Sequence, residues 1–293
     1  MPAVMSAQSG NIKLTITSDN AYMFGFGNST GITAGSLSGQ VRNGNAASIY
    51  SSLVWDVQAN GGAVPPYLGS PSYGPERYTL DGSLNGKYIY IVAWSDNQDY
   101  QGTIAILEDI LTNMKYTTGP NSAWEVYATG IDWNPSNATA PTLAEINQQI
   151  ALANAKAGTN PPSSVGWVNA NGCSNGTNGC YGTLLHCTAF TNTTFTSMPG
   201  LAQHFGNAEF MWYYTPLHPN GGCGVAVTPG SESGEYLIFR LGPLDQVLPQ
   251  PCDSIGTVMQ HDPASSPCCG RVLLTNSMMN YWEKIQVRVL TGN

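Results

Sequence analysis

The chain carries little charge. Lys, Arg, Asp and Glu make up 10% of its 293 residues, against roughly 25% in ordinary globular domains. The net charge is −8, and the ten basic residues are scattered from Lys13 to Arg288. No basic run could track a phosphate backbone, which argues against nucleic acid as a partner. An anionic membrane surface is disfavoured for the same reason. Nor is there an apolar stretch of about 18 residues, so no segment reads as a membrane span. Residues 1–10 have neither a basic run nor an apolar core and do not read as a signal peptide. The expectation is a leader already removed, or exit by another route such as lysis.

Cysteine is missing from the first half. All seven lie beyond it, at Cys173, Cys180, Cys187, Cys223, Cys252, Cys268 and Cys269. In a loop-rich, charge-poor region they are disulfide candidates, and the odd number leaves at least one thiol free or paired between chains. A local Cys173–Cys180 bridge around Ser174–Gly179 suits the spacing better than zinc. The intervals from Cys173 to Cys187 are too open for a zinc knuckle, and one zinc rarely takes adjacent thiols such as Cys268 and Cys269.

Catalytic signatures are scarce as well. No Gly-x-Ser-x-Gly elbow accompanies the four histidines, His186, His204, His218 and His261. Cys187 follows His186, but adjacent residues on a strand point apart, so the pair reads as a disulfide cysteine beside a surface histidine. A glycosidase needs two carboxylates about 5–10 Å apart across a cleft. Glu108, Asp109, Glu125, Asp132, Glu209 and Glu235 are available, yet any chain with 18 acids offers such candidates.

What is present is Gly, Asn, Ser and Thr in place of charge, with 15 Tyr and 7 Trp. In Lys87–Trp94, Tyr88, Tyr90, Val92 and Trp94 alternate with Ile89, Ile91 and Ala93. Apolar residues on both sides predict a central strand covered on each face. Ile12, Leu14 and Ile16 alternate with polar residues, as do Ile285, Val287 and Val289, suggesting that the first and last strands lie close. Further strands are expected at 47–57, 102–107, 123–128, 209–214, 224–228, 235–241 and 271–275, punctuated by turn residues. One helix is expected near 143–157. It opens on the capping box Thr142-Leu-Ala-Glu145, presents Ile146, Ile150 and Ala153 on one face, and stops at Gly158 before Pro161-Pro162.

The run Ile16–Tyr22 with Gly25-Phe26-Gly27, then Tyr88–Asp96, then Trp124–Gly130, resembles the galactose-binding-like β-sandwiches. These jelly rolls recur in bacterial surface proteins, phage proteins and lectins. The resemblance implies an all-β antiparallel sandwich formed by residues 11–133 plus 271–293. Residues 134–270 would be a helix and a cysteine-rich elaboration packed on it.

Function is expected to be non-enzymatic: an extracellular or particle-surface structural or attachment protein, such as a phage or phage-tail-like component or a filament subunit. It would act as a homo-oligomer or within a larger assembly. The alternative is a carbohydrate-binding module in which a sugar stacks on Trp94 or Trp133 while Asp96 and Asn97 bind its hydroxyls. Asp96 and Asp99 also offer the hard oxygen ligands that calcium prefers, although Asx-rich turns produce the same sequence for backbone reasons.

Overall fold

Alternation of period two dominates the sequence, and a computed structural model turns it into strands. It describes residues 10–19, 21–40, 54–62, 75–94, 102–119, 123–133, 140–158, 165–169, 183–187, 204–206, 208–214 and 235–244. The fold is all-β, with two mainly antiparallel sheets and, among the described residues, a single helix of more than one turn.

The first sheet contains β1 (Ile12–Asp19), β5 (Trp55–Asp56), β6 (Glu76–Leu80), β8 (Gly102–Asp109), β9 (Met114–Thr117), β11 (Thr183–Cys187) and β12 (Phe210–Tyr214). Its order is β11-β12-β8-β1-β6-β5, with β9 on β8. The short β5–β6 contact is its one parallel pairing among the described strands. The second sheet contains β2 (Ala21–Asn28), β3 (Gly31–Ile32), β4 (Ser38–Gln40), β7 (Tyr88–Trp94), β10 (Glu125–Asp132) and β13 (Glu235–Leu241). Its order is β10-β13-β7-β2-β3, with β4 also on β2.

Both sheets contribute to one core. Ile12, Leu14 and Ile16 of β1 meet Ile89, Ile91 and Ala93 of β7 in a single buried cluster. The other side of β7 is buried too: Tyr90, Val92 and Trp94 lie in a second cluster with Ile146, Ile150 and Ala153 of the helix. The two-faced segment is thus a central strand covered on each side, as its pattern requires.

Helix α1 (Leu143–Ala155) opens on the expected box. The Thr142 hydroxyl accepts from the Glu145 amide, and the Glu145 carboxylate accepts from the Thr142 amide. Its end differs from the expectation. Lys156, not Gly158, adopts the left-handed conformation (φ 53°), and the amides of Lys156 and Ala157 bond back to Ala153 and Leu152. Those two bonds close the helix before the glycine is reached.

The expected boundary at residue 133 falls between strands of one sheet. β13 lies between β10 and β7 within the second sheet, so residues 235–241 help build that sheet. The chain divides into two units, residues 1–247 and 248–293. Every described residue belongs to the first. The strands expected at 224–228, 271–275 and 285–289 lie outside the described residues, as does most of 47–57. No helix among the described residues is long and apolar enough to cross a membrane.

Candidate functional site

The outward face of the second sheet is rich in aromatic rings because β7, β10 and β13 place them there at alternate positions. Tyr88, Tyr90 and Trp94 come from β7, Tyr127 from β10 and Tyr236 from β13. Helix α1 covers part of this face with Ile146 and Ile150. Trp167 joins it through a short connection: Val168, beside it in sequence, exchanges two backbone hydrogen bonds with Val126 at 2.8 and 3.0 Å.

Arg240 organises one end. It is the outward-facing charge on the otherwise apolar run Tyr236–Leu241. Its Nε donates to the Glu125 carboxylate at 2.6 Å, and its Nη1 donates to the Asn154 side-chain oxygen at 3.0 Å. The guanidinium lies 3.9 Å from the centre of the Trp167 ring and 5.9 Å from that of Tyr88. The Trp167 indole N–H donates to the same Asn154 oxygen at 2.8 Å. With only 14% of its side chain exposed, Arg240 ties together β13, β10, α1 and the Trp167 segment. A planar guanidinium that stacks and donates in one plane suits this role better than an ammonium. Tyr90 lies alongside, its hydroxyl donating to the Asn28 carbonyl. Burial pushes that hydroxyl up to about 12, against the opposing pull of Arg240.

The other end holds Trp94, Tyr236 and Trp133. Trp94 is fully buried, so the expected stacking of a sugar on its ring is corrected: the ring faces are occupied by protein. Its indole N–H, however, has no hydrogen-bond partner, and neither does the buried Tyr236 hydroxyl. Burial pushes that hydroxyl well above its ordinary value, helped by the Glu145 carboxylate and by Tyr127. Trp133 is partly exposed and packs edge-on against Tyr236, with ring centres 6.0 Å apart. Asp96, Asn97 and Asp99 lie outside the described residues. Of the expected sugar set, the structure positions Trp94 and Trp133.

Among the acids considered for glycoside hydrolysis, Glu108 pairs with Lys115 at 2.9 Å and Glu125 with Arg240. Glu235 is buried and accepts from the Gly130 amide. The Asp109 carboxylate accepts from the Leu111 and Thr112 amides in the β8–β9 turn. Asp132 is exposed and lies opposite Glu235 in the ladder. Glu209 is partly buried, which raises its carboxyl above the ordinary range. Among the described residues, no group of three or more His, Cys, Asp or Glu could hold a metal ion. Cys187 closes β11, and the other six cysteines lie outside the described residues.

Sequence reasoning missed the Arg240 cluster. The signal available was one arginine at an outward position of an apolar strand, a placement that demands a partner. Nothing in the segment around Trp167 announced that it would supply one. Comparison of the chain with family models, with curated proteins and with solved structures gives no match.

Proposed function

We propose that this chain is a non-enzymatic structural or attachment protein of an extracellular or particle surface, built on a galactose-binding-like jelly roll and acting by self-association. The observation that carries this reading is the β8–β9 hairpin tip. Ile110 and Leu111 sit there side by side, 49% and 77% exposed, on a chain with little charge to keep copies apart. Adjacent apolar side chains on a firmly capped turn suit a contact that leaves the sheets undisturbed. Light scattering on the purified chain is expected to show oligomers or filaments, and Leu111→Asp is expected to shift them towards the monomer. Reductant is expected to weaken them where an odd cysteine bridges two chains. A wild-type chain that stays monomeric at high concentration would overturn the proposal.

A second reading, attachment through neutral glycans, is favoured by the partly exposed Trp133, which packs edge-on against Tyr236. Asp96 and Asp99 would contribute calcium-dependent contacts if calcium takes part. Binding of the chain to a glycan array, with and without chelator, tests both points.

A further inference from the structure

Asn-Gly occurs seven times in the chain, and two of these pairs, Asn60-Gly61 and Asn85-Gly86, lie among the described residues. The pair carries its own chemistry. The glycine's backbone nitrogen can attack the side-chain carbonyl carbon of the asparagine, because a residue without Cβ lets the backbone reach the conformation that attack needs. In a folded chain the outcome depends on what holds two nitrogens, the attacking one and the departing one. A hydrogen-bonded amide gives up its proton only when local opening breaks the bond.

The two turns differ at both nitrogens. Asn60 Nδ2 donates to the Asp56 carbonyl at 2.7 Å, and the Gly61 amide donates to the Gln58 carbonyl at 3.0 Å. The Asn60 amide bonds the Asp56 and Val57 carbonyls, and the Gly62 amide bonds that of Val57, so this turn is closed on both sides of the pair. Asn85-Gly86 stands instead at the tip of the β6–β7 connection. The base of that turn is fixed, with the Lys87 amide donating to the carbonyl of the buried Leu84 at 3.0 Å and the Asn85 amide to Ser83 Oγ at 3.1 Å. At the tip, Asn85 and Gly86 are both exposed. Among the described residues, neither the Asn85 side chain nor the Gly86 amide has a hydrogen-bond partner.

We propose that Asn85 is a self-modifying site of the folded chain. The Gly86 nitrogen loses its proton to hydroxide and bonds Asn85 Cγ. The Cγ–Nδ2 bond breaks, Nδ2 takes up a proton and leaves as ammonia, and a succinimide ring remains. Water then opens the ring at either carbonyl. Breaking the new bond to Cγ gives aspartate, whereas breaking the original peptide bond gives isoaspartate, whose main chain runs on through the side chain and is one carbon longer. The net reaction consumes water and releases ammonia, with no oxidation or reduction. Either product adds a negative charge to a chain already at −8. The isoaspartate also lengthens the connection between β6 of the first sheet and β7 of the second.

The experiment incubates the whole folded chain at mildly alkaline pH in water labelled in its oxygen, then maps the digested chain by mass spectrometry. Labelled aspartate and isoaspartate are expected at Asn85 severalfold faster than at Asn60. In denaturant, where both turns are released, the two rates are expected to converge. Asn85→Gln, whose longer side chain closes a ring much less readily, is expected to abolish the signal at this position and leave that of Asn60 unchanged. An Asn85 that stays intact in the folded chain, or reacts no faster than Asn60, would overturn the proposal. So would a difference that persists unchanged in denaturant, since local sequence rather than the fold would then set it.

Discussion

Tyr22 reaches from the second sheet to the first, where its hydroxyl donates to the Glu76 carboxylate at 2.9 Å and lies 2.9 Å from the Tyr78 hydroxyl. Glu76 is fully buried, and a carboxylate taken out of water must be hydrogen-bonded to be tolerated. Tyr22→Phe withdraws one donor from that carboxylate while keeping the ring in the core. A loss of about 1–3 kcal/mol is expected, read as a lower urea midpoint with an unchanged slope. Tyr90 makes a second, pH-dependent case. Its folded value is raised from 10.0 to about 12, so its contribution is whole below pH 10 and is lost as pH rises through 12. Alkaline unfolding followed by near-ultraviolet circular dichroism is expected to develop over that window. Tyr90→Phe is expected to make it shallower, leaving the part due to the buried Tyr213 and Tyr236.

At the scale of elements, helix α1 was legible almost residue by residue. Its start is written in local chemistry, a hydroxyl and a carboxylate three residues apart, and its buried face follows a fixed period. Replacing Thr142 by Ala is expected to cost about 1 kcal/mol, measured by thermal unfolding. The Glu145 carboxyl is held below its usual value by bonds from the Thr142 amide and hydroxyl. Its contribution is present above pH 4.5, the ordinary value, and is lost as pH falls through the depressed one. Glu145→Gln is expected to remove that acid dependence. The helix end was less legible, because Gly158 is the obvious stop and Lys156 pays the conformational cost of a left-handed residue instead. Strand β7 was legible for the same reason as the helix start: its two apolar faces need nothing beyond the strand itself to be recognised.

For the whole molecule, locality ran out. β13 joins β7 and β10 across more than a hundred residues, and no periodicity within a strand names its neighbours. That is why a boundary at 133 looked natural although a strand from beyond it lies between β10 and β7. The candidate site shows the same division. Trp133 and Trp94 drew notice as aromatics beside acids, but whether a ring faces solvent or core depends on what packs over it. Arg240 and Trp167 are brought together only by the folded chain.

The Asn147 side chain of α1 has a wider consequence. Its oxygen accepts from the Ile32 amide at 2.8 Å, and its nitrogen donates to the Ile32 carbonyl at 3.0 Å. One amide side chain thereby occupies the backbone groups that another strand would use beside β3. At the opposite flank, Val168 does the same to Val126 of β10. Beside β3, the rest of the first margin is β4, three residues long with Gly39 at its middle. A short, plugged margin such as that of β3 and β4 resists the uncontrolled strand addition that leads to aggregation. A further strand is thus kept from adding to the ladder at Ile32, so the proposed self-association would use side-chain contacts such as the hairpin tip there.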